Sequence, residues 1–312
     1  MLRGEIHQPE YKPHFSGHET FPLRYGWLKK ACDAAARSDE DADVFNSDEA
    51  IAYFGVGRNM VSALKFWGLA TGVLSQASAR SAVELSPLGD AIFGKHGCDP
   101  YTEHPSTLWA LHWNLCSPAT RTTWHWTLNY LSHPTFEREQ VVERIFKLAK
   151  QCGWPRVAKG TIKRDVECFL RSYTAKHSSG DDPLESPFVE LGLIQSIGKR
   201  DGFRLNVGRK PSLEDGVFAY AVSDFWGRST EANTINFESL AYEPGSPGRV
   251  FRLEEDDLVE RLTGLGDTTD GELEWSETAG LKQLTRQRAA TAGRALDFLL
   301  LDYPPESARS AA

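Results

Sequence analysis

Long apolar runs are missing from this sequence. No stretch approaches the roughly 18 uninterrupted apolar residues of a membrane-spanning helix, so no membrane partner is expected. The first ten residues, Met1 to Glu10, carry no apolar segment of the secretory kind. Cysteine is scarce, with 5 residues at Cys32, Cys98, Cys116, Cys152 and Cys168. The number is odd and no C-x-x-C pair occurs. That argues against a disulfide framework or a zinc finger and for reduced thiols in a cytoplasm. Nucleotide-binding loops are absent: there is no Walker A sequence, no G-x-G-x-x-G and no G-x-S-x-G elbow. No nucleotide cofactor is expected. Positive charge is also short. Lysine and arginine number 35 against 43 acids, a net charge of -8. Proteins that coat nucleic acid with their whole surface are usually basic, so any DNA contact here must be confined and salt-sensitive.

What is present is ordinary for a globular chain. Of 312 residues, 40% are hydrophobic and 25% charged, which excludes wholesale disorder. A folded chain of this length buries about three quarters of its unfolded surface. Tryptophan stands out, with 9 residues, and Trp109, Trp113, Trp124 and Trp126 crowd into one segment. Such large rings point to dense core packing before they point to base stacking.

Charge is segregated along the chain. Ser38 to Glu49 holds six acids and no base. Lys147 to Lys176 holds eight bases against Asp165 and Glu167, a local +6. Lys199 to Lys210 is locally +4, Leu253 to Glu277 is locally -9, and Lys282 to Arg294 has four bases and no acid. Charge runs are most often solvated faces. Alternation of sign also lets an acidic protein offer a basic groove to phosphates and acidic surfaces to protein partners.

Periodicity predicts a protein that is mainly α with small β-hairpins, an α+β class with winged helix-turn-helix-like units. Residues 1 to about 15 read as an arm or edge strand, and Phe21–Ala36 as a helix. Asn46 and Glu49 have capping-box spacing before a helix ending at Phe54. Gly55-Val56-Gly57 then turns into a helix from Arg58 to Trp67, closed by Gly68. Short strands near Val73-Leu74 and Ala82-Leu85 and a helix from Ser86-Pro87 complete a winged unit at about 45–95, within an N-terminal domain at 1–100. A middle domain at 101–210 has aromatic helices, helices at Glu137–Gln151 and Thr161–Tyr173, and a hairpin at Leu191–Val207, which repeats the helix-then-hairpin order. A C-terminal domain at 211–312 has a helix at Glu214–Trp226, a third small helical unit, a loop at Gly264–Gly271, and helices at Glu277–Gln283 and Ala289–Leu301.

Candidate chemistry lies in three places. Arg58, Ser62 and Lys65 share a helical face at i, i+4, i+7, with Asn59 beside them and Arg80 in the wing. Cations for phosphates and Arg or Asn for base edges suit a DNA-recognition helix, although winged folds also serve as protein–protein modules. His18-Glu19 lies on a glycine-flanked loop and could bind a metal or move a proton; capping of a turn is the plainer reading. Asp165 and Glu167 sit among Lys163 and Arg164. Carboxylates beside a lysine suit Mg²⁺ or Mn²⁺ held over a phosphodiester. On a helix, however, i and i+2 point to different sides, and Asp165 pairing with a neighbouring base is the simpler expectation. His104, His112, His125 and His133 match no ligand spacing and read as satisfied core histidines. For phosphodiester cleavage the candidates are Glu19 and Asp165, with His18 as ligand or base and Lys163 as phosphate clamp.

Six motifs in order carry a family resemblance. They are Phe15-Ser16-Gly17-His18-Glu19-Thr20-Phe21, Gly55-Val56-Gly57-Arg58-Asn59-Met60-Val61, Trp109-x-x-His112-Trp113, Thr161-x-x-x-Asp165-x-x-x-Phe169, Ser186-Pro187-Phe188-x-x-Leu191-Gly192-Leu193-Ile194 and Ser246-Pro247-Gly248-Arg249-Val250-Phe251. Together they resemble an uncharacterised-domain family whose genes lie beside bacterial DNA phosphorothioation genes. The resemblance spans about Phe15 to Leu301. It implies the B component of the single-strand DNA phosphorothioation defence system, a cytoplasmic nicking protein. Its implied partners are double-stranded DNA, a cysteine desulfurase, an ATPase and an ATP-pyrophosphatase-type sulfotransferase. It assigns no catalytic residue. Two functions stay open: a metal-dependent nickase that opens one strand for sulfur insertion, and a non-catalytic DNA-binding adapter that recruits the sulfur-transfer enzymes.

Overall fold

In the computed structural model of the chain, residues 4–37, 44–47, 49–76, 83–175, 186–198, 201–288 and 292–305 are described. The chain opens with a single 3₁₀ turn, Glu5–His7, and then irregular backbone; the edge strand expected here does not form. Helix α1 (Trp27–Arg37) starts six residues later than its periodicity suggests. Residues 21–26 are used to seat the chain: the Phe21 carbonyl accepts the Trp67 indole N–H at 3.0 Å. Helix α1 buries Trp27, Leu28, Ala31 and Cys32.

Helix α2 (Ala50–Phe54) follows Glu49, its N-cap, which makes no side-chain cap bond, so the helix starts later than the Asn46–Glu49 spacing predicts. It ends at Gly55, whose φ of 65° is left-handed and costs a glycine little. Helix α3 (Arg58–Ala70) runs through Gly68 rather than stopping there. A Cβ at Gly68 would lie 2.6 Å from Leu74 Cδ1. That glycine is thus needed for close packing of strand β1 (Leu74–Gln76), not for a cap. Strand β1 pairs antiparallel with β2 (Val83–Leu85). Helix α4 (Pro87–Phe93) is capped by Ser86 Oγ, which accepts the Gly89 N–H at 2.9 Å. Arg80, at the expected wing, lies outside the described residues.

Helices α5 (Pro105–Cys116) and α6 (Thr122–Tyr130) are buried on nearly every face, with Trp109, Trp113 and Trp124 at 0–1% exposure. A helix apolar all round belongs at the centre of a large core. The crowded tryptophans are therefore packing residues. Strand β3 (Thr135–Glu137) leads into α7 (Arg138–Gln151), whose start does carry a capping box, formed by Glu137 and Gln140. Helix α8 (Lys159–Tyr173), a 3₁₀ turn at Pro187–Leu191 and the hairpin β4 (Ile194–Ile197) and β5 (Gly202–Leu205) follow. The sheet order is β3-β5-β4, with Phe136 opposite Phe203.

The same plan recurs in the last third. Helix α9 (Asp215–Ser229) precedes β6 (Thr234–Asn236), α10 (Phe237–Tyr242), α11 (Pro247–Val250), α12 (Glu255–Thr268), and the hairpin β7 (Leu273–Thr278) and β8 (Leu281–Arg286). The order is β6-β8-β7. Two expectations fail here. Residues 264–268 continue α12, and the segment read as a helix at Glu277–Gln283 is the hairpin tip. Its composition favours a helix, but Ala279 and Gly280 both have positive φ, 53° and 81°, the pattern of a type I′ turn. Helix α13 (Ala292–Leu300) packs on α9. Asp302 then accepts the Gly216 and Val217 N–H groups, both at 2.7 Å, and the Ser106 hydroxyl at 2.7 Å.

Candidate nucleic-acid interface

The segment Tyr11–Thr20 has no regular structure, yet it is tied down at both ends. The Tyr11 hydroxyl donates to Ala119 O at 2.9 Å and the His14 N–H to Thr122 Oγ1 at 2.8 Å. In its second half the backbone takes positive φ at Ser16 (64°), Gly17 (92°), Glu19 (48°) and Thr20 (65°). Non-glycine residues adopt that region at a cost of order 1 kcal/mol each, so neighbours must hold the turn.

Asp165 does so from α8. Its Oδ1 accepts the Ser16 N–H at 2.6 Å and His18 Nε2 at 2.7 Å. His18 Nδ1 accepts the Thr20 N–H at 3.0 Å. A backbone donor at Nδ1 puts the ring proton on Nε2, facing the carboxylate. Both partners are 1% exposed. The partner of Asp165 is thus a histidine 147 residues away, not a neighbouring base. Arg171 NH1 adds a bond to Thr20 O at 3.2 Å.

Aromatic rings fill the space beneath the turn. Phe66 of α3 lies edge-on to His18 at 5.5 Å and stacks with His14 at 6.3 Å. Trp124 of α6 stands edge-on to His18 at 5.8 Å. A Cβ at Gly17 would meet Phe66 Cδ2 at 2.8 Å, so only glycine fits there. The Arg121 guanidinium lies 5.0 Å from the Phe66 ring centre. Burial pulls its pKa down, and the Asp165 charge opposes that shift. The loop is therefore the junction of α3, α6 and α8.

The expected residues divide at this junction. His18 and Asp165 meet. Glu19 is exposed on the solvent side of the turn. Lys163 is exposed on the outer face of α8, with Arg164, Glu167 and Arg171. Its charge acts on Glu139 of α7, whose carboxyl is held below its ordinary value first by the hydrogen bond from Lys159. On α3, Arg58, Asn59 and Ser62 are exposed and Lys65 is half-buried. Arg58 NH1 donates to Ser47 O at 3.2 Å. Asn59, Ser62 and Phe66, at i, i+3 and i+7, share one side of α3. That side leads from solvent to the turn. Arg121, Phe66 and Thr122 were not singled out from the sequence. They sit inside helical patterns that look like ordinary core, and only the Arg121-Thr122 polar pair ahead of an aromatic helix marks them.

Of the four histidines read as core, His112 and His125 are buried, whereas His104 is half-buried at the N-cap of α5 and His133 is exposed, because it lies in the turn before β3 rather than inside a helix. His112 is fully buried between the Tyr173 hydroxyl at 2.7 Å and Val250 O at 3.0 Å, and burial lowers its pKa to about 4. Burial lowers that of His125 to about 4 as well. Among the described residues, no group of three or more His, Cys, Asp and Glu stands together as a metal cage. The His18–Asp165 pair does not fit a hydrated divalent ion either. Both imidazole nitrogens and the shared carboxylate oxygen are engaged, and the pair is closed to solvent. No described helix is long and apolar enough to cross a membrane.

Fold and site define an α+β protein of helix-pair-and-hairpin units, with a strained, anchored loop between two polar helix faces. The chain belongs to the DUF4007 family, described as a protein of unknown function, which its residues 15–302 match. It is similar to a magnesium ion-bound SspB crystal structure at 29% identity and a TM-score of 0.83, covering 96% of this chain and 94% of that one. A second SspB crystal structure matches at 29% identity and a TM-score of 0.82, covering 94% and 89%. No curated protein sequence matches the chain.

Proposed function

We propose that this chain is the DNA-contacting component of a bacterial DNA phosphorothioation system, working in the cytoplasm. The full-length likeness to SspB carries the reading. The exposed Lys163, Arg164 and Arg171 on α8, and Arg58, Asn59 and Ser62 on α3, support contact with double-stranded DNA. Strand, helix pair and hairpin, in sheet order β3-β5-β4, support reading this unit as a winged helix. In that topology α8 takes the place of the recognition helix, as α3 does in the first unit. The cysteine desulfurase, the ATPase and the ATP-pyrophosphatase-type sulfotransferase are the proposed protein partners. The proposed activity is nicking of one strand, with Mg²⁺ or Mn²⁺ as cofactor.

A second reading, a non-catalytic adapter, is favoured by one feature. His18 has no open ring nitrogen and Asp165 is closed to solvent. A general base must reach the proton it takes, so nicking through this pair requires the turn to open. The test uses supercoiled plasmid with Mg²⁺, Mn²⁺ or EDTA. Open circles with Mg²⁺ or Mn²⁺ and none with EDTA support the nickase. Retarded but intact plasmid supports the adapter. Neither retardation nor nicking at low salt overturns the DNA reading.

A further inference from the structure

A second polar site lies far along the sequence from the loop, where β8 ends beneath α9 and α13. Arg286 is 6% exposed. Its guanidinium lies 4.9 Å from the Trp226 ring centre. One terminal nitrogen, NH2, donates to Glu231 O at 2.8 Å and Thr230 O at 3.4 Å. The other two nitrogens, Nε and NH1, are buried and find no hydrogen-bond partner among the described residues. Leaving a buried donor unsatisfied costs about 1–3 kcal/mol, and more for a charged group.

Arg286 lines a cavity of about 10 Å³ together with Ser223, Trp226, Leu273 and Phe298. Arg288, Arg294 and Glu272 complete the lining. Arg294 Nε donates to Glu272 Oε2 at 2.8 Å, and Arg288 NH1 stands 3.6 Å from Glu272 Oε1. Arg294 NH1 also pairs with Asp297 at 3.1 Å, so three guanidinium charges meet two carboxylates among the described residues, and the surplus positive charge is that of buried Arg286, which pairs with neither. A neutral oxygen would satisfy the Arg286 donors but not the surplus charge. An anionic oxygen satisfies both, and charge-assisted bonds to guanidinium are the strong ones.

We propose that this cavity binds phosphate. Its size admits one oxygen, which accepts from Arg286. The rest of the tetrahedral group stays at the mouth, where the Arg288 side chain is 76% exposed and can turn from Glu272 to meet it. Inorganic phosphate and the terminal phosphate of a DNA strand present the same chemistry. The proposal does not depend on DNA contact at α3 and α8, because the two sets of residues are separate.

The test is calorimetric titration of the full chain with sodium phosphate, against sodium chloride at matched ionic strength. Saturable phosphate binding that chloride does not reproduce is expected. Arg286→Lys should abolish it. Arg288→Gln, at an exposed position, should weaken it about tenfold while leaving the unliganded melting temperature unchanged. A 5′-phosphorylated oligonucleotide that competes with phosphate, where its unphosphorylated twin does not, assigns the source to a DNA end; competition by neither assigns it to the free ion. Equal heats for phosphate and chloride, or wild-type phosphate affinity in Arg288→Gln, overturn the proposal.

Discussion

Asp165 sits in the basic helix α8, yet its work is done on a loop 147 residues earlier in the sequence. Its Oδ1 satisfies one backbone N–H and one imidazole N–H in a place closed to water. Removing the acceptor leaves both donors buried and unpaired. Asp165→Ala should therefore destabilise the fold by about 3 kcal/mol. Asp165→Asn keeps a carbonyl oxygen for the same donors and should cost about 1 kcal/mol. Glu19→Gln, on the exposed side of the turn, should stay within about 0.5 kcal/mol of wild type. Urea unfolding separates the three. Equal midpoints for Asp165→Ala and Glu19→Gln would show that the turn does not need its anchor.

The buried histidines also set an acid limit. His112 and His125 have folded-state pKa values of about 4, lowered by burial from 6.5. As pH falls below about 6.5 the unfolded chain takes up these protons while the folded chain does not. Stability is therefore lost between about pH 6.5 and 4, by about 3 kcal/mol for each histidine at the lower end. His112→Gln should flatten that part of the profile. Urea midpoints measured from pH 7.5 to 5 check this; parallel slopes for variant and wild type would contradict it.

Among elements, the helices that follow the same plan differ in charge. The outer face of α8 carries Lys163, Arg164 and Arg171, whereas α12 carries Glu255, Asp256 and Glu260. Only the first suits phosphate. Replacing Lys163 and Arg164 by glutamine should weaken DNA binding. If each meets one phosphate, the slope of log affinity against log salt should shrink by about 1.8. Charge reversal at Arg58 should weaken binding too, without unfolding, because Val61 and Leu64 hold the buried side of α3. A gel shift at two salt concentrations reads both effects, and an unchanged slope removes α8 from the interface.

Helices were legible in the sequence where apolar spacing was regular, as in α7 and α8. The β7–β8 hairpin was not, because five of the seven residues of Glu277–Gln283, all but Thr278 and Gly280, are good helix formers. There the turn geometry and cross-strand burial of Leu284 override local propensity. The same hairpin gives a check at its tip. Ala279 holds φ of 53°, so Ala279→Gly should stabilise the protein by up to about 1 kcal/mol; a lower melting temperature would deny the type I′ strain. The motif loop was legible as His18-Glu19 but not as His18–Asp165. Nothing local says which of two acids, 19 or 165, an imidazole will choose when the second arrives only through folding.

Across the whole molecule, the net charge of -8 is distributed so that the basic and acidic faces belong to different units. The acidic stretch from Leu253 to Glu277 is partly neutralised by its own neighbours. Glu272 pairs with Arg288 and Arg294, Glu277 with Lys282 at 3.7 Å, and Glu260 with Arg209. The basic run 282–294, close in sequence, therefore answers the C-terminal half of the stretch. The first turn of α12, with Glu254, Glu255 and Asp256 exposed, lies outside those pairs. Such charge would repel DNA wherever it faced it, so it must point away from the duplex or meet a basic partner protein. Changing Glu254, Glu255, Asp256 and Asp257 to their amides separates these roles from stability. Exposed ion pairs contribute only about 0–1 kcal/mol each, so the melting temperature should move little. DNA affinity should hold or rise. If this turn is a docking surface for the sulfur-transfer proteins, co-purification with them should be lost in the same variant. Retained co-purification together with a much lower melting temperature would instead make the acidic turn part of the fold's own charge balance.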